Sequence, residues 1–569
     1  MEGALSRLHV SFSVARSSGI PRQKKPVFST SSTPDDGVSC RQAGNVAQGK
    51  ASSAHVERSS RKKISSTVSS HRGGISRFPG PRQTGGNVNH EVSPHRAAAA
   101  VRLLRVEQGG AFADLLNEKG SLSGENSMSY VERTLGFRTQ SLDDRDIRLV
   151  TDIVGGVVRW KRFLDHLISS LCTEDRLFRG MEPLLLQILR IGFYEILKLG
   201  MPVHAVVYEN VKLAKIALRP GAGNLVNGLL RKLVLLMERE ALPLPKIEGD
   251  DRAQARALAI IHSHPVWMVR RWQKSLGLEE TVKLMNWNNT EPSFSIRVNS
   301  AKGFTRDDLV MRLESLKVPF ELSENMDDFV RIKTGMQTII QADLLKEGLC
   351  SVQDESAGMV VSLLDPQPGQ TIVDCCSAPG GKALYMASLL RGKGSVHAID
   401  INKGRLRILV ETARSHNVDN VIKTVHADLR EFVENNFMES DKVLLDAPCS
   451  GLGVLSKRAD LRWNRKLEEM DQLKRLQDEL LDAAAMLVKP GGVLVYSTCS
   501  IDPEENEDRV NVFLNRNPVE IQEFSVDSAA KFVPSEFVTD GGFYSSNPVK
   551  HSLDGSFAAR LVRSSEPAV

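Results

Sequence analysis

The first stretch of patterned sequence has its apolar residues at helical spacing. Examples are "RDIRLVTDIVGGVVRWKRFLDHLISSL" (145–171) and "HAVVYENVKLAKIAL" (204–218). The sharpest break between such runs is "RPGAG" (219–223), where proline and glycine interrupt the pattern. We therefore expect an all-helical domain over residues 96–245.

The most apolar run of the chain lies inside this helical stretch, at residues 182–201. It is interrupted by Arg190, Glu195 and Lys198, whereas a membrane helix needs about 20 consecutive apolar residues. The pattern therefore predicts a core helix pair and no membrane partner.

A linker rich in proline and acidic residues, "ALPLPKIEGDD" (241–251), separates the helical stretch from a mixed one. The mixed stretch contains "FSIRVN" (294–299), which reads as a strand, and "TRDDLVMRLESL" (305–316), which reads as a helix. This pattern predicts a small α+β domain over residues 252–365.

From residue 366 onward, short β-branched runs alternate with helical patterns. The clearest helix is "KLEEMDQLKRLQDELLDAAAMLV" (466–488), which stops at "KPGG". The expected strands are "TIVD" (371–374), "SVHAID" (395–400), "VIKTVHAD" (421–428), "KVLLDAP" (442–448) and "GVLVYSTC" (492–499). This alternation is typical of a parallel, doubly wound α/β sheet, here over residues 366–565.

Charge divides the chain into a basic leader and a slightly acidic body. Residues 1–90 hold 14 Lys/Arg against 4 Asp/Glu and contain 18 serines, whereas the other residues hold 60 Lys/Arg against 65 Asp/Glu. The overall net charge of +5 therefore does not predict nucleic-acid binding by the body. A basic, serine-rich, acid-poor start is typical of organelle transit peptides, so residues 1–95 are expected to direct the protein to the chloroplast, with the mitochondrion as the alternative.

Carboxylates and a thiol stand at the ends of successive predicted strands. These residues are Asp374, Asp400, Asp428, Asp446 and Cys499. In doubly wound sheets, ligands bind outside the carboxyl ends of the strands, so we expect these side chains to form one site. The seven cysteines include no CxxC pair, so neither a disulfide framework nor a zinc site is predicted, and no metal is expected.

The first strand of the α/β domain leads into the glycine-bearing loop "DCCSAPGGKA" (374–383). It is neither a Walker loop nor a GxGxxG motif. Asp400 stands twenty residues beyond Gly380, where a carboxylate can accept both hydroxyls of a ribose. An adenosine-based cofactor such as S-adenosylmethionine fits this pattern, and Asp428 could accept from the adenine amino group.

Two thiols, Cys449 and Cys499, lie at the ends of the fourth and fifth predicted strands and would face one pocket. Such a pair suits methylation at carbon 5 of a pyrimidine, because a thiolate that adds to carbon 6 makes carbon 5 nucleophilic. One thiol could attack while the second assists release. Spacing alone does not decide which of the two attacks.

Three motifs, "DCCSAPGGKA", "LLDAPCSGLGVL" (444–455) and "YSTCSIDPEENE" (496–507), resemble those of the RNA (cytosine-5) methyltransferases of the Sun/Fmu type. "SVQDESAGMV" (351–360) and "KRADLRW" (457–463) are also similar to that family's signatures. The helical stretch resembles the NusB-like RNA-binding domain of its bacterial ribosomal members, in phrases such as "DIVGGVVR" (152–159). The resemblance implies a Rossmann-like, class I methyltransferase domain behind a NusB-like domain and a small α+β linker domain.

The resemblance also implies roles for individual residues. Cys499 would be the nucleophile and Cys449 would help release the product, whereas the proline-cysteine motif that DNA cytosine methyltransferases use for attack would favour Cys449. The residues implied to bind or flank S-adenosylmethionine are Cys376, Ser377, Ala378, Pro379, Gly380, Gly381, Lys382, Asp400, Asp428 and Asp446. The residues expected to contact RNA are Arg297, Arg458, Arg462 and Trp463, and a surface salt bridge is an equal alternative for Arg458 and Arg462.

The sequence thus predicts an S-adenosylmethionine-dependent enzyme that forms 5-methylcytosine in small-subunit ribosomal RNA. The target base must be single-stranded or flipped out to reach the pocket. The alternatives are the same reaction on transfer RNA and a non-catalytic NusB-like RNA-binding or antitermination factor. We expect a monomer without an obligate protein partner.

Overall fold

The computed structural model describes residues 92–109, 125–436, 438–516 and 524–565. The predicted leader, residues 1–95, lies outside the described residues except for its last four. Within the described ranges, the elements follow the three predicted stretches in order: helices alone, then a small sheet with helices, then a large sheet covered by helices.

The first domain is helical, as predicted. Its buried residues form one core to which α1, α3, α5, α6 and α7 all contribute. The helices are α1 (Pro94–Gly109), α2 (Glu125–Leu135), α3 (Asp144–Leu171), α4 (Asp175–Arg179), α5 (Pro183–Leu197), α6 (Val203–Ala217) and α7 (Pro220–Glu238).

One expectation about this domain needs correction. The apolar run 182–201 forms one helix, α5, and not a pair, because its charged residues are neutralised inside the bundle. Glu195 is fully buried and accepts from Arg96, and Arg190 pairs with Asp165 at 2.6 Å. The "RPGAG" break separates α6 from α7 as predicted, and Pro220 occupies the first turn of α7, where its missing N–H needs no partner.

The second domain is built on a four-stranded antiparallel sheet in the order β2-β3-β1-β4. Thr305 and Asp308 form a capping box that starts the predicted helix at the right place. The elements are α8 (Asp251–Ile261), α9 (Val266–Asn288), β1 (Phe294–Val298), α10 (Arg306–Ser315), β2 (Phe320–Leu322), β3 (Phe329–Ile332), α11 (Met336–Gln341) and β4 (Cys350–Val352).

The third domain is an eight-stranded sheet with helices on its faces. Its helices are α12 (Glu355–Leu364), α13 (Gly381–Leu389), α14 (Lys403–Ser415), α15 (Leu429–Asn435), α16 (Leu461–Asn464), α17 (Leu467–Met486), α18 (Glu507–Asn515) and α19 (Pro548–His551). Its strands are β5 (Thr371–Asp374), β6 (Ser395–Asp400), β7 (Ile422–His426), β8 (Ser440–Asp446), β9 (Val488–Thr498), β10 (Phe524–Val526), β11 (Tyr544–Ser546) and β12 (Ser556–Arg563).

The sheet of the third domain is mixed rather than wholly parallel. The five predicted strands, β5 to β9, pair in parallel, in the order β9-β8-β5-β6-β7. Beyond β9, the strand β12 pairs antiparallel with β9, and both β10 and β11 pair antiparallel with β12. The parallel part confirms the doubly wound prediction, while the antiparallel edge was not foreseen.

Over the ranges that the structure describes, no helix is both long and apolar enough to span a membrane. In the same ranges, no group of three or more histidine, cysteine and acidic side chains is arranged to hold a metal ion.

Candidate active site

The strand ends of the third domain bring the predicted site residues to one edge of the sheet. Asp374, Asp400 and Asp446 are the last residues of β5, β6 and β8, and Cys499 directly follows β9. Asp428 lies two residues beyond the end of β7. Because all five strands run in parallel, their carboxyl ends share the edge at which such folds bind ligands.

The loop 375–380 connects β5 to α13 and is tied to the end of the next strand. The Ala378 N–H donates to Asp400 Oδ2 at 2.9 Å. Gly380 has a φ of +114°, and a Cβ at this position would lie 2.2 Å from Leu409. Only glycine fits here, so the loop can turn tightly and α13 can begin with its N–H groups directed toward the site.

Two buried polar side chains of this loop region have no hydrogen-bond partner among the described residues. They are the carboxylate of Asp374 and the hydroxyl of Ser377. Burial raises the pKa of Asp374 to about 7. A ligand that carries an ammonium group and hydroxyls supplies the missing partners, so the residues present fit S-adenosylmethionine.

Asp428 makes local contacts with Arg430, which differ from the predicted contact with adenine. Its side chain caps α15 by accepting from the Arg430 N–H at 3.0 Å, and it also pairs with the Arg430 guanidinium at 2.7 Å. The hydrogen bonds from Arg430 lower the pKa of Asp428. The carboxylate is already engaged by these donors, so the geometry gives no support to its predicted contact with adenine.

Asp446 and Lys382 form an ion pair in the wall of a cavity that also contains Cys499. Lys382 Nζ lies 2.7 Å from Asp446 Oδ2, and the Ser497 hydroxyl donates to Asp446 Oδ1 at 2.9 Å. Both members of the pair are largely buried. A fixed carboxylate and a fixed ammonium beside a thiol can recognise a base that carries both donors and acceptors on its edge.

The two thiols lie side by side, with Cys449 Sγ 3.3 Å from Cys499 Sγ. Cys449 is completely buried, and this burial raises the pKa of its thiol to about 12. Cys499 is half-buried and lines the cavity. The geometry thus favours Cys499 over Cys449 as the thiol that a substrate can reach, which is the choice that the family resemblance implied.

A buried carboxylate that sequence reasoning missed holds the two thiol loops together. Glu505 is fully buried and accepts from the Ser450 N–H at 2.8 Å and from the Ser450 hydroxyl. It also accepts from the Ser500 hydroxyl at 2.7 Å and from Gln477 Nε2 at 3.0 Å. Ser450 and Ser500 directly follow Cys449 and Cys499, so this carboxylate connects the segments that carry both thiols.

A second missed group is Lys457, which lines the cavity between two carboxylates. Its ammonium lies 2.6 Å from Asp354 and 2.9 Å from Asp554. Burial alone would lower the pKa of Lys457, but the two carboxylates raise it above the usual range. The sequence signal was present, since Lys457 and Asp354 both lie in segments that resemble family signatures.

The buried position of Arg297 contradicts its predicted contact with RNA. Arg297 is 1% exposed, its guanidinium lies 4.3 Å from the centre of the Tyr385 ring, and its Nε donates to Gln353 Oε1 at 2.7 Å. The side chain therefore supports the cavity wall from behind, where RNA does not reach it.

Burial also contradicts the predicted RNA contacts of Arg458 and Arg462, whereas the ring N–H of Trp463 is engaged within the protein. Arg458 is 1% exposed and pairs with Asp460, and Trp463 Nε1 donates to Val158 O at 2.6 Å. Arg462 is fully buried and donates to four oxygen atoms, namely Arg159 O (3.2 Å), Ser263 O (3.1 Å), Asn289 Oδ1 (2.8 Å) and Asn288 O (2.6 Å). Arg462 thus joins the third domain to both other domains, and Trp463, which is half-buried, contacts the helical domain.

Comparison with known protein families accounts for all three domains. Residues 96–234 match the NusB family, and residues 264–338 match the ferredoxin-like domain of RsmF/B-like methyltransferases. Residues 361–562 match the family described as 16S rRNA methyltransferase RsmB/F. The predicted NusB-like and methyltransferase domains are therefore confirmed.

Individual relatives are similar to this chain over most of its length. The probable ribosomal RNA small subunit methyltransferase B of Bacillus subtilis is 30% identical over 463 residues, which is 79% of this chain and 97% of the relative. Its counterpart in Synechocystis is 35% identical over 388 residues, or 68% of this chain and 84% of the relative. The crystal structure of PH0851 superposes with a TM-score of 0.65 at 27% identity, covering 83% of this chain and all of that one. With its domain order, cofactor loop and thiol pair, this chain belongs to the RsmB/F family of S-adenosylmethionine-dependent methyltransferases.

Proposed function

We propose that this protein methylates carbon 5 of a cytosine in small-subunit ribosomal RNA through a covalent bond between Cys499 and carbon 6. The observation that carries the proposal is the position of Cys499 in a cavity wall, 3.3 Å from the Cys449 thiol and beside the Asp446–Lys382 pair. The names of the Bacillus and Synechocystis relatives support ribosomal RNA as the substrate.

In the proposed reaction, the Cys499 thiolate adds to carbon 6 and the electron pair of the 5,6 double bond moves to carbon 5. Bound S-adenosylmethionine supplies the electrophilic methyl group. A base then removes the proton from carbon 5, the double bond forms again, and the Cys499 thiolate leaves. Asp446, held by Lys382 and Ser497, accepts from the cytosine amino group.

The surroundings of the two thiols suit them to different roles in the proposed reaction. Since the pKa of Cys449 is about 12, this thiol is protonated at neutral pH and can donate its S–H to the Cys499 sulfur. In the proposed reaction, the thiolate is the nucleophilic form of Cys499. Cys449 is placed to assist the departure of Cys499 from the methylated base.

The proposal is tested with the full chain, radiolabelled S-adenosylmethionine and small-subunit ribosomal RNA. Methyl transfer and protein–RNA adducts stable in denaturant are measured for Cys449→Ala, Cys499→Ala and the control Cys172→Ala, whose residue lies in the helical domain. We expect Cys499→Ala to give neither product, Cys449→Ala to accumulate the adduct, and the control to match the native protein.

Other outcomes would overturn specific parts of the proposal. Adduct accumulation by Cys499→Ala, with none by Cys449→Ala, would exchange the two roles. Transfer to transfer RNA but not to ribosomal RNA would change the substrate. Cofactor binding without transfer to either RNA would favour a non-catalytic RNA-binding factor.

We further propose that residues 1–95 direct the protein to the plastid stroma, where it acts as a monomer. The support is the basic, serine-rich and acid-poor composition of this segment. A fluorescent protein fused behind residues 1–95 should enter plastids, whereas the same protein behind residues 96–190 should not. Entry into mitochondria would select the alternative compartment, and a dimer in light scattering of the purified chain would contradict the monomer.

A further inference from the structure

The cavity beside Cys499 is closed on one side by the second domain. Cys499, Asp446 and Lys382 form the wall that the α/β domain provides, and Gln353, which directly follows β4, lies in the wall that the second domain provides. Gln353 is 2% exposed, and its backbone N–H is fixed by a 3.1 Å hydrogen bond to Ser295 O. Its side chain has no role in the reaction as described above.

The orientation of the Gln353 amide follows from its neighbour Arg297. The Arg297 Nε donates to Gln353 Oε1 at 2.7 Å. A guanidinium only donates, so the atom that faces it must be the amide oxygen. Arg297 is itself held against the Tyr385 ring at 4.3 Å, so it fixes the amide in this orientation.

The consequence is a buried donor that no described residue satisfies. Gln353 Nε2 has no hydrogen-bond partner in the part of the chain that the structure describes. Leaving a buried polar group unpaired costs about 1–3 kcal/mol, so such a group in a native cavity wall indicates a partner that arrives with the ligand.

The chemistry of the proposed substrate identifies that partner. Along its pairing edge, cytosine has an amino donor at N4 followed by two acceptors, N3 and O2. Asp446 can accept from the amino group, which leaves the two acceptors to be satisfied. Uracil has a donor at N3 instead, so an amide N–H directed at N3 and O2 distinguishes the two bases.

We propose that the Gln353 amide donates a hydrogen bond to the N3–O2 edge of the target cytosine and so acts as a specificity-determining residue. This inference rests on the proposed function. It assigns the second domain a direct part in reading the base.

The sharpest test is Gln353→Glu in the full chain. The substitution keeps an oxygen for Arg297, so the wall stays intact, but it replaces the cavity-facing donor with an acceptor. We expect unchanged S-adenosylmethionine binding by calorimetry, an unchanged or higher melting temperature, and a fall of about 100-fold in kcat/KM for ribosomal RNA. Gln341→Glu, at an exposed position of the same domain, is the matched control and should keep the native kcat/KM.

A second variant, Gln353→Met, separates base recognition from the ion pair that Gln353→Glu forms with Arg297. Its side chain has neither donor nor acceptor, so it should lose methyl transfer to a similar extent while S-adenosylmethionine binding stays unchanged.

The outcomes also separate the two proposals. If the native chain transfers methyl groups and Gln353→Glu keeps a kcat/KM within threefold of it, the inference about Gln353 is wrong and the proposed function stands. If Gln353→Glu and Gln353→Met lose transfer together with cofactor binding, the role of Gln353 is structural. If the native chain itself transfers nothing to RNA, both proposals fall.

Discussion

Glu505 provides the most direct test of how the fold sets the distance between the two thiols. Its buried carboxylate accepts from the backbone and hydroxyl of Ser450 and from the hydroxyl of Ser500. These serines directly follow Cys449 and Cys499. We expect Glu505→Ala to loosen both segments, increase the 3.3 Å separation of the two sulfur atoms and reduce methyl transfer.

The magnitude follows from the donors that lose their acceptor. The hydroxyls of Ser450 and Ser500 lie 3.1 Å apart and can bond to each other, so they are not left unpaired. The Ser450 N–H and one N–H of Gln477 remain buried without the carboxylate. At about 1–3 kcal/mol for each unsatisfied donor, the free energy of unfolding should fall by about 2–6 kcal/mol.

Three measurements on the full chain test the expected effects of Glu505→Ala. Urea unfolding gives the loss of stability, and methyl transfer at saturating S-adenosylmethionine gives the loss of activity, which we expect to exceed tenfold. Mass spectrometry after treatment with diamide gives the rate at which Cys449 and Cys499 are oxidised to a disulfide, and this rate should fall in Glu505→Ala because the sulfur atoms are farther apart. The control is Glu504→Ala, since Glu504 is 41% exposed and its ion pairs are worth little.

The reasoning would be refuted if Glu505→Ala lost stability but kept the native rates of disulfide formation and methyl transfer. The carboxylate would then contribute only to folding. A native free energy of unfolding for Glu505→Ala would refute it as well, since the unsatisfied donors would then not destabilise the fold. Glu504→Ala should change none of the three measurements beyond about 1 kcal/mol of stability.

The remaining expectations concern other buried groups. Since burial raises the pKa of Asp374 to about 7, the folded protein holds a proton that the unfolded chain releases from about pH 4 upward. The free energy of unfolding without cofactor should therefore fall by up to about 4 kcal/mol between pH 4 and 7, and urea unfolding of Asp374→Asn should lack this decrease. Arg462→Ala leaves four buried oxygen atoms without their donor, so its unfolding free energy should fall by about 3–5 kcal/mol in the same assay. At pH 8, iodoacetamide followed by peptide mass spectrometry should show Cys499 modified at least about tenfold faster than Cys449, whose pKa is about 12.

The parallel part of the sheet was predictable because its inner strands, such as β5 and β8, are mostly buried apolar runs that end in an acidic residue. The expected strand 395–400 coincides with β6, and 371–374 coincides with β5. The short antiparallel strands β10 and β11 were not predictable, since they have three residues each and no apolar run marks them. Short segments of this kind become strands only because β12 offers them an edge.

The site was predictable where it depends on topology and unpredictable where it depends on long-range contacts. The closeness of Cys449 and Cys499 follows from two neighbouring parallel strands that end at the same edge. The pairing of Lys457 with Asp354 and Asp554 does not, because these partners are 103 and 97 residues away and meet only after the domains assemble. Charged residues in loops are usually exposed, which is why Arg462 was expected to contact RNA.

The charged residues of segment 456–463 are buried because the segment contacts the helical domain at both of its ends. Arg159 of the helical domain donates to Ser456 O at 2.6 Å, and Trp463 donates back to the helical domain at Val158 O. Between these contacts, Lys457 reaches into the wall of the cavity beside Cys499. One short segment therefore touches both the helical domain and the cavity. The helical domain is therefore bound to the segment that carries a residue of the cavity wall, which argues that this domain is an integral part of the molecule and not a separate attachment.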